Sequence, residues 1–384
     1  MSEIFRDAVG GTPRDTEKTR LLGDRGVTIL RASTVPADSL RLSVVVPNYN
    51  TGAFVGEAIR SILEQTMPDL EVIVVDDGST DESVAKILAL QDRRLTCVRQ
   101  PNRGLAGARN TGIILARAPL IGFCDGDDLW YPAKAERQLA VMQQDAKIGL
   151  TFSYSEYWTE AGEPTGQLLV SRCSTPGARD LVHRNHVGNG STPILRRECF
   201  EKAGAFDEGL FGGEDLEMWV RVAALTGLRI QLVPEVLTAY RIRSNSMSVT
   251  FDRFVESYSL AVDRFRRYVP GFTARDAARS QAEFLRIASR KAFSLGEVKA
   301  SRGLFAAAVR QSPALVFSDV RAFAMLLLHV ASIPLPQAVQ QSLYRLGIRL
   351  IRSLQGLLAL SVHDASTHLV AESVSAATAK GGRS

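Results

Sequence analysis

The residues of this sequence best suited to chemistry are three carboxylates within four positions, Asp125, Asp127 and Asp128. They directly follow the apolar run Leu120–Phe123, which predicts a buried strand with the acids at its carboxyl end. Carboxylates this close together repel one another and resist burial unless a cation neutralises them. Hard oxygen ligands at this spacing suit Mg²⁺ or Mn²⁺ holding a phosphate, and an acidic surface turn is the alternative interpretation.

A second pair of acids, Glu214 and Asp215, follows two glycines and opens an amphipathic helical pattern. An acid in the first turn of a helix is stabilised by the helix dipole and can be a simple cap. The two glycines, however, would let another molecule approach the backbone closely. From the residues alone, a helix cap and a reactive site are both open interpretations of this pair.

The glycine-rich segment 102–112 leads into a predicted helix and carries Arg109. Backbone amides at the start of that helix, together with Arg109, could bind an anion or orient nearby carboxylates. A flexible loop with a packing glycine is the alternative. The sequence contains no GxGxxG pattern, so a Rossmann dinucleotide site is not supported.

The elements that must position these groups alternate between strands and helices. Residues 42–46 and 71–75 are β-branched runs, each followed by a helical pattern, and residues 95–99 predict a third short strand. Such alternation predicts an open α/β sheet, which places its ligands outside the carboxyl ends of the strands. The acids at 76–77 and 125–128 both follow predicted strands, so we expect them along one edge of the sheet.

Composition places the chain among ordinary soluble proteins. It has 384 residues, of which 45% are hydrophobic and 23% charged, and its length suggests about two domains. The net charge of +5 is uneven, because residues 251–384 carry 18 Lys and Arg against 9 Asp and Glu. The four cysteines lack the spacing of zinc sites or disulfide frameworks, so we expect small buried thiols in a reducing compartment. The first thirty residues have no apolar signal segment, which favours a cytoplasmic protein.

Four segments lie outside this pattern of strands and acids. Residues 1–40 lack periodicity, and we expect a mobile tail. The polar segment 159–190 is irregular and typical of a substrate lid. Residues 275–311 resemble a single helical hairpin of the tetratricopeptide type. Residues 338–360 carry a leucine stripe and an arginine stripe at helical spacing; this fits an interfacial helix on anionic lipid, or a helix packed on its own domain with a solvated basic face.

Five motifs occur in a fixed order along the chain. They are VVVPNYN at 44–50, VVDDGS at 74–79, NRGLAGARN at 102–110, DGDD at 125–128 and ED at 214–215. In this combination the sequence resembles the inverting family 2 glycosyltransferases of GT-A fold, over about residues 41–248. The resemblance implies a Rossmann-like open mixed sheet, built for transfer from nucleotide-diphospho-sugars, at residues 41–250. An α-helical region, associating with a membrane or a partner, would follow at residues 251–384.

The resemblance also implies roles for the matching residues. Asp127, with Asp125, would hold a divalent metal on the donor diphosphate, and Asp128 would orient the loop. Asp215 would be the general base, with Glu214 beside it on the acceptor side. A metal at the diphosphate stabilises the charge of the leaving group, and a carboxylate can take the proton of an acceptor hydroxyl during attack. Attack from the face opposite the leaving group gives inversion.

On the donor side, the resemblance implies that Pro47, Tyr49 and Asp77 line the pocket for the base and the ribose. The family often carries a histidine near the metal after its Tyr-Arg-Ile, whereas this sequence has Arg243. An arginine can neutralise phosphate but cannot ligate a metal. We therefore assign Arg243 to donor binding, together with Arg109 and Asp125, and expect Mg²⁺ or Mn²⁺ as the cofactor.

These features predict an inverting glycosyltransferase of the hexosyltransferase type. It would move a sugar from a nucleotide-diphosphate sugar, expected to be a UDP-sugar, to a hydroxyl in polysaccharide, glycolipid or glycoconjugate synthesis. The expected acceptor is a glycan or a lipid-linked glycan. We expect the basic residues 251–384 to lie at the inner face of the cytoplasmic membrane, and we expect no nucleic-acid partner. A nucleotidyltransferase of related fold and a non-catalytic sugar-nucleotide-binding or scaffold domain are the alternatives.

Overall fold

In the computed structural model, which describes residues 15–243, 251–294, 297–318, 325–327 and 329, ten strands form one open mixed sheet. The strands are β1 (Thr28–Arg31), β2 (Leu42–Asn48), β3 (Leu70–Asp76), β4 (Leu95–Arg99), β5 (Leu120–Phe123), β6 (Leu129–Trp130), β7 (Ile148–Trp158), β8 (Pro164–Leu169), β9 (Ile194–Arg196) and β10 (Arg229–Arg241). Their order in the sheet is β1-β4-β3-β2-β5-β9-β7-β10-β6, and β8 pairs with β7 beside this path.

Twelve α-helices are described along the chain. They are α1 (Asp15–Asp24), α2 (Val55–Leu63), α3 (Ser83–Ala89), α4 (Gly104–Leu115), α5 (Lys134–Gln144), α6 (Ala178–Leu181), α7 (Arg197–Ala203), α8 (Glu214–Leu225), α9 (Phe251–Tyr268), α10 (Ala274–Ser294), α11 (Val298–Gln311) and α12 (Leu315–Ser318). Contacts divide the chain into two units, Met1–Phe284 and Leu285–Ser384. The predicted domain boundaries at 40/41 and 250/251 stay predictions.

The first unit has a helical layer on each face of the sheet. Because side chains alternate along a strand, Val44 and Val46 of β2 point to one face and Val45 to the other. Val44 and Val46 join a buried cluster with α2, α3 and α5, whereas Val45 joins one with α4, α7, α8 and α9. Burial on both faces explains why β2 and β3 are continuous apolar runs.

The direction of the strands places the functional groups at one edge. Strands β4, β3, β2 and β5 are parallel, so their carboxyl ends meet on the same side. Asn48, the last residue of β2, pairs with Asp76, the last residue of β3. Strand β9 runs antiparallel between β5 and β7, and β10 is parallel to β7. The predicted open mixed sheet is confirmed.

Three segments differ from their prediction. Residues 15–31, expected within a mobile tail, contain α1 and β1, and β1 pairs antiparallel with β4 at the edge of the sheet. The segment 159–190 is not wholly irregular, because β8 forms a hairpin with β7 and α6 follows it. Two separate strands are predicted from the apolar runs at 230–233 and 236–240, but the structure has one continuous strand, β10, whose register on β7 shifts between Val233 and Val236.

The second unit is helical. Helix α10 ends at Ser294 and α11 begins at Val298, which confirms the predicted pair of helices over residues 275–311. The two helices are joined by reciprocal hydrogen bonds: Ser289 Oγ donates to Ser301 O at 2.8 Å, and Ser301 Oγ donates to Ser289 O at 2.9 Å. Among the described residues, no helix has both the length and the hydropathy of a membrane span. The amphipathic segment predicted at residues 338–360 lies outside them.

The four cysteines, all of which are described, are free thiols. Cys97, Cys124 and Cys199 are buried, as expected, and Cys173 is partly exposed in the segment after β8. Burial raises the pKa of Cys97 and of Cys199 to about 12, so these thiols stay protonated at neutral pH.

Candidate active site at the carboxyl edge of the sheet

The acidic loop, residues 124–128, connects β5 to β6 beside the end of β2. The Cys124 amide donates to Val45 O at 3.1 Å, which continues the pairing of β5 with β2. A Cβ at Gly126 would lie 2.6 Å from Thr51 Oγ1 and 3.2 Å from Pro47 O. Glycine is therefore needed here because the loop packs directly on the segment that leaves β2.

Asp128 anchors the loop from within. Its Oδ2 accepts from Ser191 Oγ at 2.5 Å, and its Oδ1 accepts from the Arg241 amide at 3.0 Å. Burial, followed by repulsion from Asp127 and Asp125, raises the pKa of Asp128. Ser191 Oγ also accepts from the Asp125 amide at 2.9 Å, so one hydroxyl fixes both ends of the loop. These contacts match the orienting role expected of Asp128.

Asp127 contacts two arginines near the end of β10. Arg241 is the last residue of the strand, and Arg243 follows two residues later. Arg243 Nη1 donates to Asp127 Oδ2 at 2.9 Å, and Arg241 Nε donates to Asp127 O at 3.0 Å. Each guanidinium carbon lies 5.0 Å from the centroid of the Phe54 ring, within cation–π range. Burial and repulsion from Asp125 raise the pKa of Asp127, and Arg243 opposes this shift. Arg243 Nε is buried and has no hydrogen-bond partner among the described residues.

Arg109 joins the acidic loop to the helix that carries the second acid pair. From the buried face of α4, its Nη2 donates to Asp125 Oδ1 and its Nη1 to Glu214 Oε1, each at 2.8 Å. The guanidinium also lies 5.5 Å from the ring centroid of Phe206. Burial disfavours its charge, but Asp125, Glu214 and Asp215 together raise the pKa of Arg109. Of the two roles predicted for Arg109, these contacts fit the orientation of carboxylates.

Glu214 and Asp215 open α8 after two glycines in the left-handed region, Gly212 (φ 88°) and Gly213 (φ 78°). A Cβ at Gly212 would lie 2.0 Å from the ring of Phe254, so the backbone passes very close to α9. Asp215 is half-buried, and its Oδ1 accepts from the Leu216 amide at 2.6 Å. Burial and then Glu214 raise the pKa of Asp215 to about 7, against the lowering effect of Arg109.

The residues expected to bind the nucleoside lie where β2 and β3 end. Asp77 is 3% exposed, and its Oδ1 accepts from Gln100 Nε2 at 2.7 Å and from the Arg103 amide at 2.9 Å. Burial raises the pKa of Asp77, while these donors lower it. Pro47 is buried in β2, and Tyr49, immediately after the strand, is 51% exposed. An exposed aromatic ring beside a fixed carboxylate suits a base and a ribose.

The carboxylates of the acidic loop are chemically suited to bind a divalent metal. Asp125 and Asp127 are partly exposed carboxylates, and their mutual repulsion would be relieved by a cation. Each already pairs with an arginine, however, Asp125 with Arg109 and Asp127 with Arg243. Among the described residues, no group of three or more His, Cys, Asp and Glu side chains is arranged to hold a metal ion.

Several residues of the site were not predicted. Ser191 has no sequence signal, since it lies in a polar segment and its hydroxyl meets the acidic loop through contacts 63 and 66 residues away. Arg241 could have been found, because it is the arginine of the Tyr-Arg-Ile motif at residues 240–242, directly before Arg243. Asn189 is buried and donates to Ser155 Oγ at 2.9 Å, so its amide supports the loop of Ser191.

Two histidines of the segment 159–190 have partners within the fold. His183 Nε2 lies 3.4 Å from Asp276 Oδ1, and His186 Nδ1 lies 3.2 Å from Ser171 Oγ. Burial lowers the pKa of both rings. The substrate lid expected in this segment stays a prediction.

Comparison with known sequences places this site in a family context. Residues 43–204 match the family described as Glycosyl transferase family 2. EpsJ of Bacillus subtilis, described as an uncharacterized glycosyltransferase, is 34% identical over 54% of this chain and 62% of its own length. The Escherichia coli UDP-Glc:alpha-D-GlcNAc-diphosphoundecaprenol beta-1,3-glucosyltransferase WfaP is 26% identical over 54% of this chain and 79% of its own. The chain thus spans less than two thirds of the length of the Bacillus relative.

Comparison with solved structures supports the fold. The structure of Staphylococcus aureus TarS 1–349 in complex with UDP-GlcNAc superposes with a TM-score of 0.55. It covers 82% of this chain and 92% of the TarS fragment, at 18% sequence identity. At that identity the likeness shows a shared GT-A-like fold, and the chemistry must be argued from the residues of this chain.

Proposed function

We propose that this chain transfers a sugar from a nucleotide-diphosphate sugar to an acceptor hydroxyl, with inversion, as the match of residues 43–204 to Glycosyl transferase family 2 supports. The observation that supports this most directly is the pair of ion pairs made by Arg109. They hold Asp125 of the acidic loop and Glu214 of α8 on one guanidinium. An acid suited to the donor diphosphate and one suited to the acceptor thus share one site, with Asp215 beside Glu214.

On the donor side, Pro47, Tyr49 and Asp77 hold the base and the ribose. Their place at the ends of β2 and β3 is where open α/β sheets bind ligands. Arg243 provides positive charge for the diphosphate, since it has an unpaired Nε beside its contact with Asp127. A UDP-sugar is our proposed donor, because the Escherichia coli relative is named as a UDP-Glc transferase and the TarS structure contains UDP-GlcNAc.

Asp125 and Asp127 would hold a divalent metal, Mg²⁺ or Mn²⁺, when the donor binds. That ion would neutralise the diphosphate as it leaves. The residues themselves prepare the site: Ser191 and Asp128 fix the loop, and Arg109 holds Asp125 in place. Arg243 pairs with the same carboxylate, Asp127, so its positive charge would lie beside that cation.

Asp215 is the proposed general base. Its pKa of about 7 lies near the pH at which a carboxylate can accept a proton efficiently and still be ionised in good part. Glu214, tied to Arg109, stays in place beside it on the acceptor side. The acceptor hydroxyl would attack from the side of α8 while the diphosphate leaves from the side of the acidic loop, which gives inversion of the sugar.

The acceptor is proposed to be a glycan or a lipid-linked glycan at the cytoplasmic face of a membrane. The Escherichia coli relative is named for a diphosphoundecaprenol-linked acceptor. The excess of Lys and Arg over Asp and Glu after residue 250 would favour an anionic lipid surface.

A donor screen tests the proposed function. The full chain is mixed with UDP-, GDP- and TDP-sugars and Mn²⁺, and thermal shift and release of nucleoside diphosphate are measured. We expect one nucleotide class to raise the melting temperature and one of its sugars to be consumed. Stabilisation by nucleoside triphosphates with release of pyrophosphate would instead support a nucleotidyltransferase. Tight donor binding with no turnover, with any acceptor glycan tested, would support a binding domain.

A further inference from the structure

We propose that Arg25, which precedes the family domain in the sequence, is a positioning residue of the nucleotide pocket and acts by fixing the carboxylate of Asp77. This rests on the proposed function, because it takes Asp77 as the acid that faces the nucleoside. Two separate hydrogen-bond paths lead from the guanidinium of Arg25, and both end on Asp77 Oδ1.

The first path runs through buried side chains. Arg25 Nε donates to Thr111 Oγ1 at 2.8 Å, Thr111 Oγ1 donates to Gln100 Oε1 at 2.6 Å, and Gln100 Nε2 donates to Asp77 Oδ1 at 2.7 Å. Because the threonine hydroxyl accepts from Arg25, its proton is directed to Gln100. That bond fixes which end of the Gln100 amide faces Asp77. Thr111 and Gln100 are both buried, so water does not substitute for either partner.

The second path runs through a shared carboxylate. Arg25 Nη2 donates to Glu208 Oε1 at 2.8 Å, and Arg103 Nη2 donates to Glu208 Oε2 at 2.9 Å. The backbone amide of the same Arg103 donates to Asp77 Oδ1 at 2.9 Å. Glu208 therefore holds Arg103, and with it the start of α4, in the position where this amide meets Asp77.

Arg25 is well placed to control both paths at once. Its side chain is 11% exposed, and its Nη2 also donates to Gly107 O in α4 at 2.8 Å. Asp77 is almost fully buried, so its orientation depends on these donors rather than on solvent. Burial disfavours the ionised form of Asp77, and Gln100 and Arg103 favour it, so losing their alignment would weaken the carboxylate as an acceptor for a ribose hydroxyl.

The test compares Arg25→Met with Arg20→Met in the full chain. Arg25→Met keeps the aliphatic stem, and Glu208 keeps Arg103 and Asn110 as partners, so its charge stays compensated. Arg20 lies in the neighbouring helix α1 with an exposed side chain and an exposed partner, Asp24, which makes it the matched control. Calorimetry with UDP and with UMP, well below the melting temperature of each variant, gives the dissociation constants. GDP and GMP replace them if the wild type prefers guanine.

We expect Arg25→Met to weaken UDP binding by about three- to tenfold, the loss associated with one or two buried hydrogen bonds. UMP should weaken by the same factor, because Asp77 faces the part that both nucleotides share. Arg20→Met should bind as the wild type does. Thr111→Val should give part of the loss, and the double variant Arg25→Met/Thr111→Val less than the product of the two factors.

Three outcomes would overturn the proposal. Wild-type affinity in folded Arg25→Met shows that the paths do not control Asp77. A loss that differs clearly between UDP and UMP points to a general loosening of the site instead. If the wild type binds neither UDP nor GDP with Mn²⁺, the proposed function fails and this proposal falls with it; if the wild type binds and Arg25→Met binds equally well, only this proposal fails.

Discussion

The carboxyl of Asp215 should set the pH dependence of sugar transfer. Burial and the neighbouring Glu214 raise its pKa to about 7, and Arg109 limits the rise. A general base works only when ionised, so activity should fall as the pH drops through this value. For a pKa near 7, about a tenth of the base is ionised at pH 6 and about nine tenths at pH 8. We therefore expect kcat/KM to rise about tenfold between these two pH values.

The assay is release of nucleoside diphosphate at saturating acceptor, across pH 5.5 to 8.5, after the donor has been identified. Asp215→Asn should lower the rate by about 10²- to 10⁴-fold and remove the inflection, because the amide cannot accept the proton. Nucleotide affinity should be largely kept, since Asp215 is proposed to face the acceptor rather than the nucleotide. Asp263→Asn, an exposed carboxylate on α9, is the control and should leave the profile unchanged. A flat wild-type profile, or wild-type turnover in Asp215→Asn, would refute the assignment of the base.

Two further variants test neighbouring parts of the site. Arg243→His removes the guanidinium from Asp127 and adds a group that can ligate a metal. The UDP affinity of this variant, measured by calorimetry, should therefore fall more on addition of EDTA than the UDP affinity of the wild type does. Equal EDTA sensitivity would contradict a role for Arg243 at the diphosphate. Gly212→Ala should lower the free energy of unfolding by about 1–3 kcal/mol in chemical denaturation. The new Cβ would clash with the ring of Phe254, and alanine is strained at the positive φ of position 212. Gly227→Ala, at a similar φ with nothing within 4 Å, should lose only about 1 kcal/mol, and an equal loss in both would show that the contact with Phe254 does not matter.

Local patterns were sufficient to predict the four parallel strands of the sheet, β2 to β5. The β-branched runs at 42–46 and 71–75 became β2 and β3, and the acids after residues 75 and 123 lie at the carboxyl edge, because strand direction follows from the alternation of strands and helices. The start of α8 at Glu214 was also predictable, since the two glycines and the amphipathic pattern are local.

Contacts between distant residues were not predictable in the same way. Arg109 and Glu214 are 105 residues apart, and nothing in either segment reveals that one guanidinium holds both acids. Arg25 and Glu208 are 183 residues apart, and the polar composition around Arg25 suggested a tail because its partners are supplied by α4 and by the loop before α8. Where a charged residue is fixed by tertiary contacts, composition alone wrongly predicts that its side chain is exposed to solvent.

The uneven burial of the thiols gives the native protein a reporter of its own. Cys97, Cys124 and Cys199 are shielded by the core, whereas Cys173 is accessible in the segment that follows the β7–β8 hairpin. A thiol-selective fluorophore should therefore attach to the folded chain at a single place, with no engineered cysteine. That label would follow the environment of the segment predicted to be a substrate lid. The later appearance of three more reactive thiols would count unfolded molecules in the same sample.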